Sequence, residues 1–316
     1  MATYAIFNYQ FDKIIEHARQ TELDGMGEIL MTADEAYPRK QELFGNVLKR
    51  DYQKGCAADI IHFRNAHGQK EYIHRHLIPP IDEIFVMRVA NRKTQTIVDA
   101  ELKEKQVDDY QNCIVMIDNR PGIQRMLIEN KKAAFRDVKQ VAGILQYTFR
   151  CLLKRYSLTI TLDHLQDPRD FWKFVNDRRA YPKGFHRIHF HLPSPNLERL
   201  KKVYDRLVTR ARESFESSLD MDFSNPDGQV RLDPEDPYQK ELIEWFMGEA
   251  GGDIALYSNL AKRSPIVVGK NSYRAITVSD TTIRRLTEDA NSGDIFGSAA
   301  LDDVKRKLKT GIDLSE

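Results

Sequence analysis

The sequence has few of the features that mark membrane, secreted or disulfide-bonded proteins. Its three cysteines, Cys56, Cys113 and Cys151, lie far apart and form no CxxC pair, which argues against both a zinc finger and a disulfide framework. The chain has no apolar run of about 18 residues, so no membrane-spanning segment is expected. Because the N-terminus also lacks the basic and apolar regions of a signal peptide, a cytoplasmic protein is predicted.

The motifs of the common nucleotide-binding and hydrolytic enzymes are absent as well. The chain contains no P-loop, no GxGxxG, no HExxH and no GxSxG, so no cofactor is predicted and a non-enzymatic role is favoured. Glycine and proline are scarce, at 16 and 12 of 316 residues, while hydrophobic residues make up 41% and charged residues 30%. This composition is typical of a folded globular protein and excludes collagen-like and disordered chains.

Charge is distributed unevenly, although the formal net charge is only +1. Counting Lys and Arg against Asp and Glu, residues 131–210 carry +11 and residues 211–260 carry −9, with −3 before them and +2 after them. The two opposite blocks either neutralise each other, within the fold or across a homodimer, or leave the basic block available to a polyanion.

The first half of the chain, residues 1–155, is predicted to form an antiparallel β-rich domain. A first strand is expected at 3–9 and a helix at 38–52, because aromatic and β-branched residues favour strands and apolar residues three and four apart favour a helix. Hairpins are predicted from 60–66 to 72–78, from 83–89 to 95–98 around a turn at 91–93, and from 113–117 to 126–128. An amphipathic helix at 131–155 ends this domain.

The second half, residues 156–316, is predicted to be a mixed α/β domain, which makes the fold class α+β. Strands are expected at 156–162, 186–192, 228–232 and 254–257, and helices at 167–176, 195–215 and 237–247. Residues 266–268 and 273–278 are predicted to form a hairpin, and the tail at 281–309 to be helical with a break at 291–293.

Two predicted helices of the basic block carry their cations away from their apolar stripe. Like charges three and four residues apart repel each other, whereas ordinary surface helices alternate the two signs. A cationic ridge of this kind can bind a phosphate backbone, and such binding does not depend on the base sequence. The predicted DNA-contacting residues of these helices, together with Arg187 on the strand at 186–192, are Lys132, Arg136, Lys139, Arg150, Lys154, Arg187, Arg199, Lys202, Arg206 and Arg210.

Histidines at alternate positions of a predicted strand are the best candidates for a metal site. His189 and His191 share one face of the strand at 186–192. A third ligand would be required, and Asp163 or His164 is the nearest candidate in sequence. A polar sheet face without a metal is the favoured interpretation, and the same interpretation is stronger still for His74 and His76.

A metal-dependent nuclease or phosphoesterase is an alternative function. Asp82 followed by Glu101 and Lys103 has the order in which nucleases place an acid and then a Glu-x-Lys sequence. The two carboxylates would hold Mg²⁺ and the lysine would orient a water molecule. Charged runs of this composition are also common at exposed strand ends, so no catalytic or metal residue is assigned.

The order of elements resembles a group of phage-exclusion proteins. A sheet of hairpins leads through residues 113–128 into a basic helix, residues 185–193 run into the sequence Leu200–Tyr204, and Gly251–Ile254 precedes the last strands. In this order the chain resembles the RexA-like and KwaB-like proteins of phage exclusion and anti-phage defence. The resemblance implies a cytosolic, DNA-binding, dimeric protein of antiviral defence or abortive infection, with a protein partner in a defence system.

The favoured expectation is therefore a DNA-binding protein of phage defence that contacts the phosphate backbone without strong sequence specificity. Two alternatives stay open. One is the metal-dependent nuclease or phosphoesterase, using either Asp82, Glu101 and Lys103 or His189 and His191. The other is a protein-binding subunit of a homodimer with no role in nucleic-acid binding.

Overall fold

A computed structural model of the protein describes most of the chain. The described residues are 1–14, 29–53, 63–64, 71–98, 100–192, 219–225, 228–248, 252–259, 265–268 and 273–311. They form helices and antiparallel sheets of an α+β fold, as the sequence predicts. No described helix is long and apolar enough to cross a lipid bilayer.

The described strands fall into two sheets. The strands are β1 (Ala2–Lys13), β2 (Phe63–Arg64), β3 (Glu71–His76), β4 (Ile84–Val98), β5 (Glu104–Asp118), β6 (Arg125–Glu129), β7 (Leu158–His164), β8 (Phe185–Leu192), β9 (Leu219–Ser224), β10 (Asp253–Ser258), β11 (Ile266–Val268) and β12 (Ala275–Val278). The larger sheet has the order β12-β1-β6-β5-β4-β3-β2, with β7 also paired to β1. The smaller sheet has the order β11-β10-β8-β9.

The described α-helices flank these sheets, and short 3-10 turns lie at Tyr37–Arg39, Lys154–Tyr156 and Ile295–Gly297. The helices are α1 (Ala33–Ala36), α2 (Lys40–Gln53), α3 (Val138–Leu153), α4 (Pro168–Asn176), α5 (Pro237–Gly248), α6 (Asp280–Ser292) and α7 (Ala299–Thr310). Sequence signals set several of their ends. Asp137, Asp167, Ser279 and Ser298 each cap an N-terminus by accepting a backbone N–H hydrogen bond, and Gly293 and Gly311 end α6 and α7 in the left-handed conformation.

The chain divides into two compact units, residues 1–162 with 275–316 and residues 163–274. This division differs from the two consecutive domains, 1–155 and 156–316, that the sequence predicts. The reason is the pairing of β12 with β1, in which Ala2 lies opposite Val278. The final helices α6 and α7 follow β12 back into the first unit.

Strand β1 of the larger sheet is buried along most of its length because helices cover both of its faces. On one face Tyr9 packs against Phe44 of α2, with ring centroids 5.5 Å apart, and Phe44 packs in turn against Phe149 of α3 at 5.0 Å. On the other face lie Ile6 and the end of α7, where Arg125 donates to the Leu308 and Lys309 carbonyls at 3.0 and 2.9 Å. Such two-sided burial accounts for the apolar residues on both faces of this strand.

Two predicted hairpins are wrong. The turn predicted at 91–93 lies inside β4, which runs unbroken from Ile84 to Val98 and pairs with β5 over its whole length. The hairpin predicted from 266–268 to 273–278 is not formed because β11 pairs with β10 in the second unit, whereas β12 joins β1. The strand predicted at 228–232 is irregular loop.

The second unit is a four-stranded sheet with helices on one face. Ile188 and Phe190 of β8, with Ile254 and Leu256 of β10, point into a core that includes Phe246 of α5. Alternate residues of the same strands must then point to the opposite face. That opposite face carries Arg187, His189 and His191.

Candidate nucleic-acid interface and polar sheet face

The first predicted DNA-contacting residues do not lie on a helix. Helix α3 begins at Val138 and not at Lys131, because Asp137 caps it by accepting a hydrogen bond from the Gln140 backbone N–H at 2.8 Å. Lys132 and Arg136 are exposed in the preceding turn. The Arg136 guanidinium pairs with its neighbour Asp137 at 3.0 Å, so its charge is compensated.

The other predicted DNA-contacting residues of the first unit, Lys139, Arg150 and Lys154, do not form a continuous ridge. Lys139 and Arg150 are exposed near opposite ends of α3, and Lys154 follows the helix in a 3-10 turn. A helix of this length spans about 24 Å. Arg150 donates its Nε–H to the Ile160 carbonyl at 2.8 Å, which ties the side chain to β7.

The other predicted contacts belong to the second unit. Arg187 forms a bidentate ion pair with Asp222 of β9, in which Nε and Nη2 donate to the two carboxylate oxygens at 2.6 and 3.0 Å. Its charge is therefore largely compensated within the fold. The four cations of the predicted helix at 195–215 lie outside the described residues; they are Arg199, Lys202, Arg206 and Arg210.

Several cations of the basic block have no carboxylate partner among the residues that the structure describes. Among the residues described in residues 131–192, the acids Asp137, Asp167 and Asp170 pair with nearby Arg136, Arg169 and Lys173. In the same part of the chain, other cations have no described carboxylate within ion-pair distance: Lys132, Lys154 and Arg155 in the first unit, and Arg178, Arg179 and Lys183 in the second.

The polar face of the smaller sheet gathers two histidines and two aspartates. The antiparallel register of β8 and β9 places His189 opposite Asp222 and His191 opposite Asp220. Cross-strand neighbours in such a ladder lie about 5 Å apart, and their side chains share one face. All four side chains are partly exposed, from 24% for His189 to 51% for Asp220.

One carboxylate oxygen of Asp220 lies between the two imidazoles. Its Oδ1 is 2.7 Å from His191 Nδ1 and 3.3 Å from His189 Nε2. Ligand atoms from His189, His191 and Asp220 all lie within 4.8 Å of one another, and no other such group of three exists among the described residues. Both side-chain types are common metal ligands.

Asp222 and Arg187 hold the second side of His189. The Asp222 Oδ1 accepts a hydrogen bond from His189 Nδ1 at 3.1 Å, since an ionised carboxylate can only accept. The Arg187 guanidinium beside Asp222 lowers the pKa of that carboxyl, with His189 adding to the effect. With its Nδ1 occupied as a donor, His189 turns Nε2 toward Asp220.

Sequence reasoning found the histidine pair but not its acidic partners. The predicted third ligands, Asp163 and His164, do not belong to the cluster; Asp220 takes their place. Asp220 and Asp222 lie about 30 residues further along the chain on a strand that was not predicted. The sequence signal that could have identified Asp220 and Asp222 is their spacing of two residues, which matches the spacing of His189 and His191.

The predicted nuclease arrangement is not formed. Asp82 lies in the turn before β4 and pairs with Lys305 at 2.7 Å. Glu101 and Lys103 lie beyond the far end of the same strand, in the connection to β5. A strand of 15 residues separates them by about 45 Å, so these three side chains cannot share a metal ion.

The sequence matches no known family model, and no curated protein matches it.

Proposed function

We propose that this protein binds the phosphate backbone of DNA, without strong sequence specificity, through the basic block at 131–210. The supporting observation is the uneven use of the acids in that block. Asp137, Asp167 and Asp170 pair with cations close to them in sequence, whereas other cations, among them Arg178, Arg179 and Lys183, have no carboxylate partner among the described residues. Each phosphate that such a cation neutralises releases a counterion, which supplies affinity without base recognition.

Arg178, Arg179 and Lys183 lie close together in sequence, in the segment that joins α4 to β8. Arg178 and Arg179 follow α4 after one residue, Asp177, and Lys183 precedes β8 by two residues. All three side chains are exposed. A short segment with three exposed charges of one sign is well suited to follow a phosphate backbone.

A role in phage defence, in the cytosol, is part of the proposal and rests on the resemblance to RexA-like and KwaB-like proteins. Expression of the chain in a bacterial host should lower the plating efficiency of at least one phage. A variant that no longer binds DNA should restore plating.

The DNA proposal is tested by fluorescence anisotropy with a labelled 30-base-pair duplex, of the order of three helical turns, at several salt concentrations. Wild-type protein should bind at low salt and lose affinity steeply as salt rises. In a triple variant, Arg178→Gln, Arg179→Gln and Lys183→Gln, the slope of log affinity against log salt should fall by about one per cation that contacts phosphate.

A matched control removes three cations that already have carboxylate partners in the same unit. Arg169, Lys173 and Arg231 pair with Asp167, Asp170 and Asp233, and replacing them with glutamine changes the net charge equally. This control should keep most of the salt slope. The proposal fails if wild-type protein does not bind at low salt, or if both triple variants change equally. A dimer that dissociates in salt and ignores DNA would instead favour pairing of the acidic and basic blocks between two copies.

A further inference from the structure

We infer that His189, His191 and Asp220 form a binding site for a divalent transition-metal ion of the zinc type. The inference is independent of DNA binding, because it depends on the polar face of the β8–β9 pair. These three side chains are brought together by the strand register alone, in which His191 lies opposite Asp220 and His189 is two residues away along the same face.

The distances fit the size of such an ion. Zinc binds histidine nitrogen and carboxylate oxygen at about 2.0–2.2 Å, so a tetrahedral ion holds its ligand atoms about 3.4 Å from one another. Asp220 Oδ1 lies 3.3 Å from His189 Nε2 and 2.7 Å from His191 Nδ1, and the whole group of ligand atoms falls within 4.8 Å. Small side-chain rotations therefore bring all three onto one ion.

The donor types select the class of metal. Two imidazoles and one carboxylate suit zinc, iron, cobalt and nickel, whereas magnesium and calcium prefer oxygen ligands throughout. Three protein ligands also leave a coordination position for water or an anionic oxygen, unlike a structural zinc site with four protein ligands.

Asp222 is the positioning residue of this site. It accepts the hydrogen bond of His189 Nδ1 at 3.1 Å, which leaves the Nε2 lone pair facing Asp220. Arg187 holds Asp222 in turn through two hydrogen bonds. Carboxylates that orient a metal-binding histidine in this way commonly contribute 10–100-fold, roughly, to metal affinity.

The experiment is a calorimetric titration of the full chain with Zn²⁺, Co²⁺ and Mg²⁺. Wild-type protein should bind one Zn²⁺ and one Co²⁺ with measurable affinity, and Mg²⁺ should not compete. His191→Ala and Asp220→Asn should each weaken Zn²⁺ binding by more than the roughly 10–100-fold expected for Asp222→Asn. Co²⁺ absorption bands provide a second readout, since the bands of bound Co²⁺ should change in Asp222→Asn but not in a variant elsewhere.

The matched control is His186→Ala, which removes an imidazole from the same strand but outside the cluster. This variant should bind Zn²⁺ like wild type. Circular dichroism will verify that the variants fold, as expected for partly exposed positions. Equal Zn²⁺ affinity in wild type, His191→Ala and Asp220→Asn overturns the inference, and so does an equal loss in His186→Ala. Loss of Zn²⁺ binding with DNA binding unchanged supports the metal site and leaves the proposed function standing.

Discussion

The two sheets of the molecule differ in how many of their faces are buried. In the larger sheet, β1 is buried on both faces, and even its polar residues Asn8 and Gln10 are less than a tenth exposed. In the smaller sheet, β8 alternates between buried Ile188 and Phe190 and the partly exposed His189. A strand with apolar residues on both of its faces predicts two covered faces, and a strand that alternates apolar and polar residues predicts one exposed face.

The largest expected effect comes from opening the core under the smaller sheet. Phe246 is fully buried and packs against Phe190, with ring centroids 5.0 Å apart. Phe246→Ala should lower the free energy of unfolding by about 3–5 kcal/mol, because it removes buried apolar surface and leaves a cavity. Both tryptophans of the chain, Trp172 and Trp245, lie in the second unit. Tryptophan fluorescence during denaturation in urea will therefore report on that unit.

A phenylalanine-to-alanine substitution in the core of the first unit provides the comparison with Phe246→Ala. Phe149 of α3 is also fully buried, but it lies in the first unit, which contains no tryptophan. Phe149→Ala should shift the unfolding transition seen by circular dichroism by a similar amount. An unchanged fluorescence transition in Phe246→Ala would contradict the placement of Phe246 in the core of the second unit.

A smaller effect is expected where a charged side chain attaches the last helix to the larger sheet. Arg125 is only 5% exposed and donates to the Leu308 and Lys309 carbonyls at the C-terminal end of α7. Arg125→Met should lower the free energy of unfolding by about 2–3 kcal/mol, since it leaves these carbonyls without their donor. Chemical denaturation followed by circular dichroism measures the change.

Arg306 on the same helix is the control for Arg125. It forms an exposed ion pair with Asp303, and pairs of this kind contribute about 1 kcal/mol or less. Arg306→Met should therefore leave stability almost unchanged. Equal effects of the two substitutions would show that α7 is not held by Arg125.

The smallest effect concerns a buried thiol of the larger sheet. Burial, and then the nearby Glu129 carboxylate, raise the pKa of Cys113 to about 12. The unfolded thiol ionises near its ordinary pKa of 9.0, so between these values only the unfolded chain releases the proton. Stability should be complete below pH 9 and then fall by about 1 kcal/mol per pH unit from this group. Urea denaturation between pH 8 and 11, in wild type and Cys113→Ala, measures the difference; parallel profiles would contradict it.

Local structure was predictable from the sequence where one signal determined one element. The helix predicted at 167–176 is confirmed as α4, because Asp167 caps it and Pro168 occupies its first turn. The hairpin from 113–117 to 126–128 is confirmed as β5 and β6. In each case residues close in sequence specify the structure.

Structure that depends on pairing with another strand was not predictable. The polar residues Asn91, Arg92 and Lys93 indicate a turn, but β4 continues through them because each finds a partner on β5. The histidine pair was visible in the sequence, whereas Asp220 becomes its neighbour only through the register of β8 with β9. A one-residue shift of that register would move Asp220 to the other face.

Chemical modification of histidine by diethyl pyrocarbonate tests most directly whether the open face of the smaller sheet binds metal. His189 and His191 are accessible on that face, whereas His74 of the larger sheet is 7% exposed. Peptide mass spectrometry should find His189 and His191 modified rapidly without metal and protected when Zn²⁺ is added, with His74 reacting slowly in both conditions. Unchanged modification of His189 and His191 in the presence of Zn²⁺ would contradict the metal site.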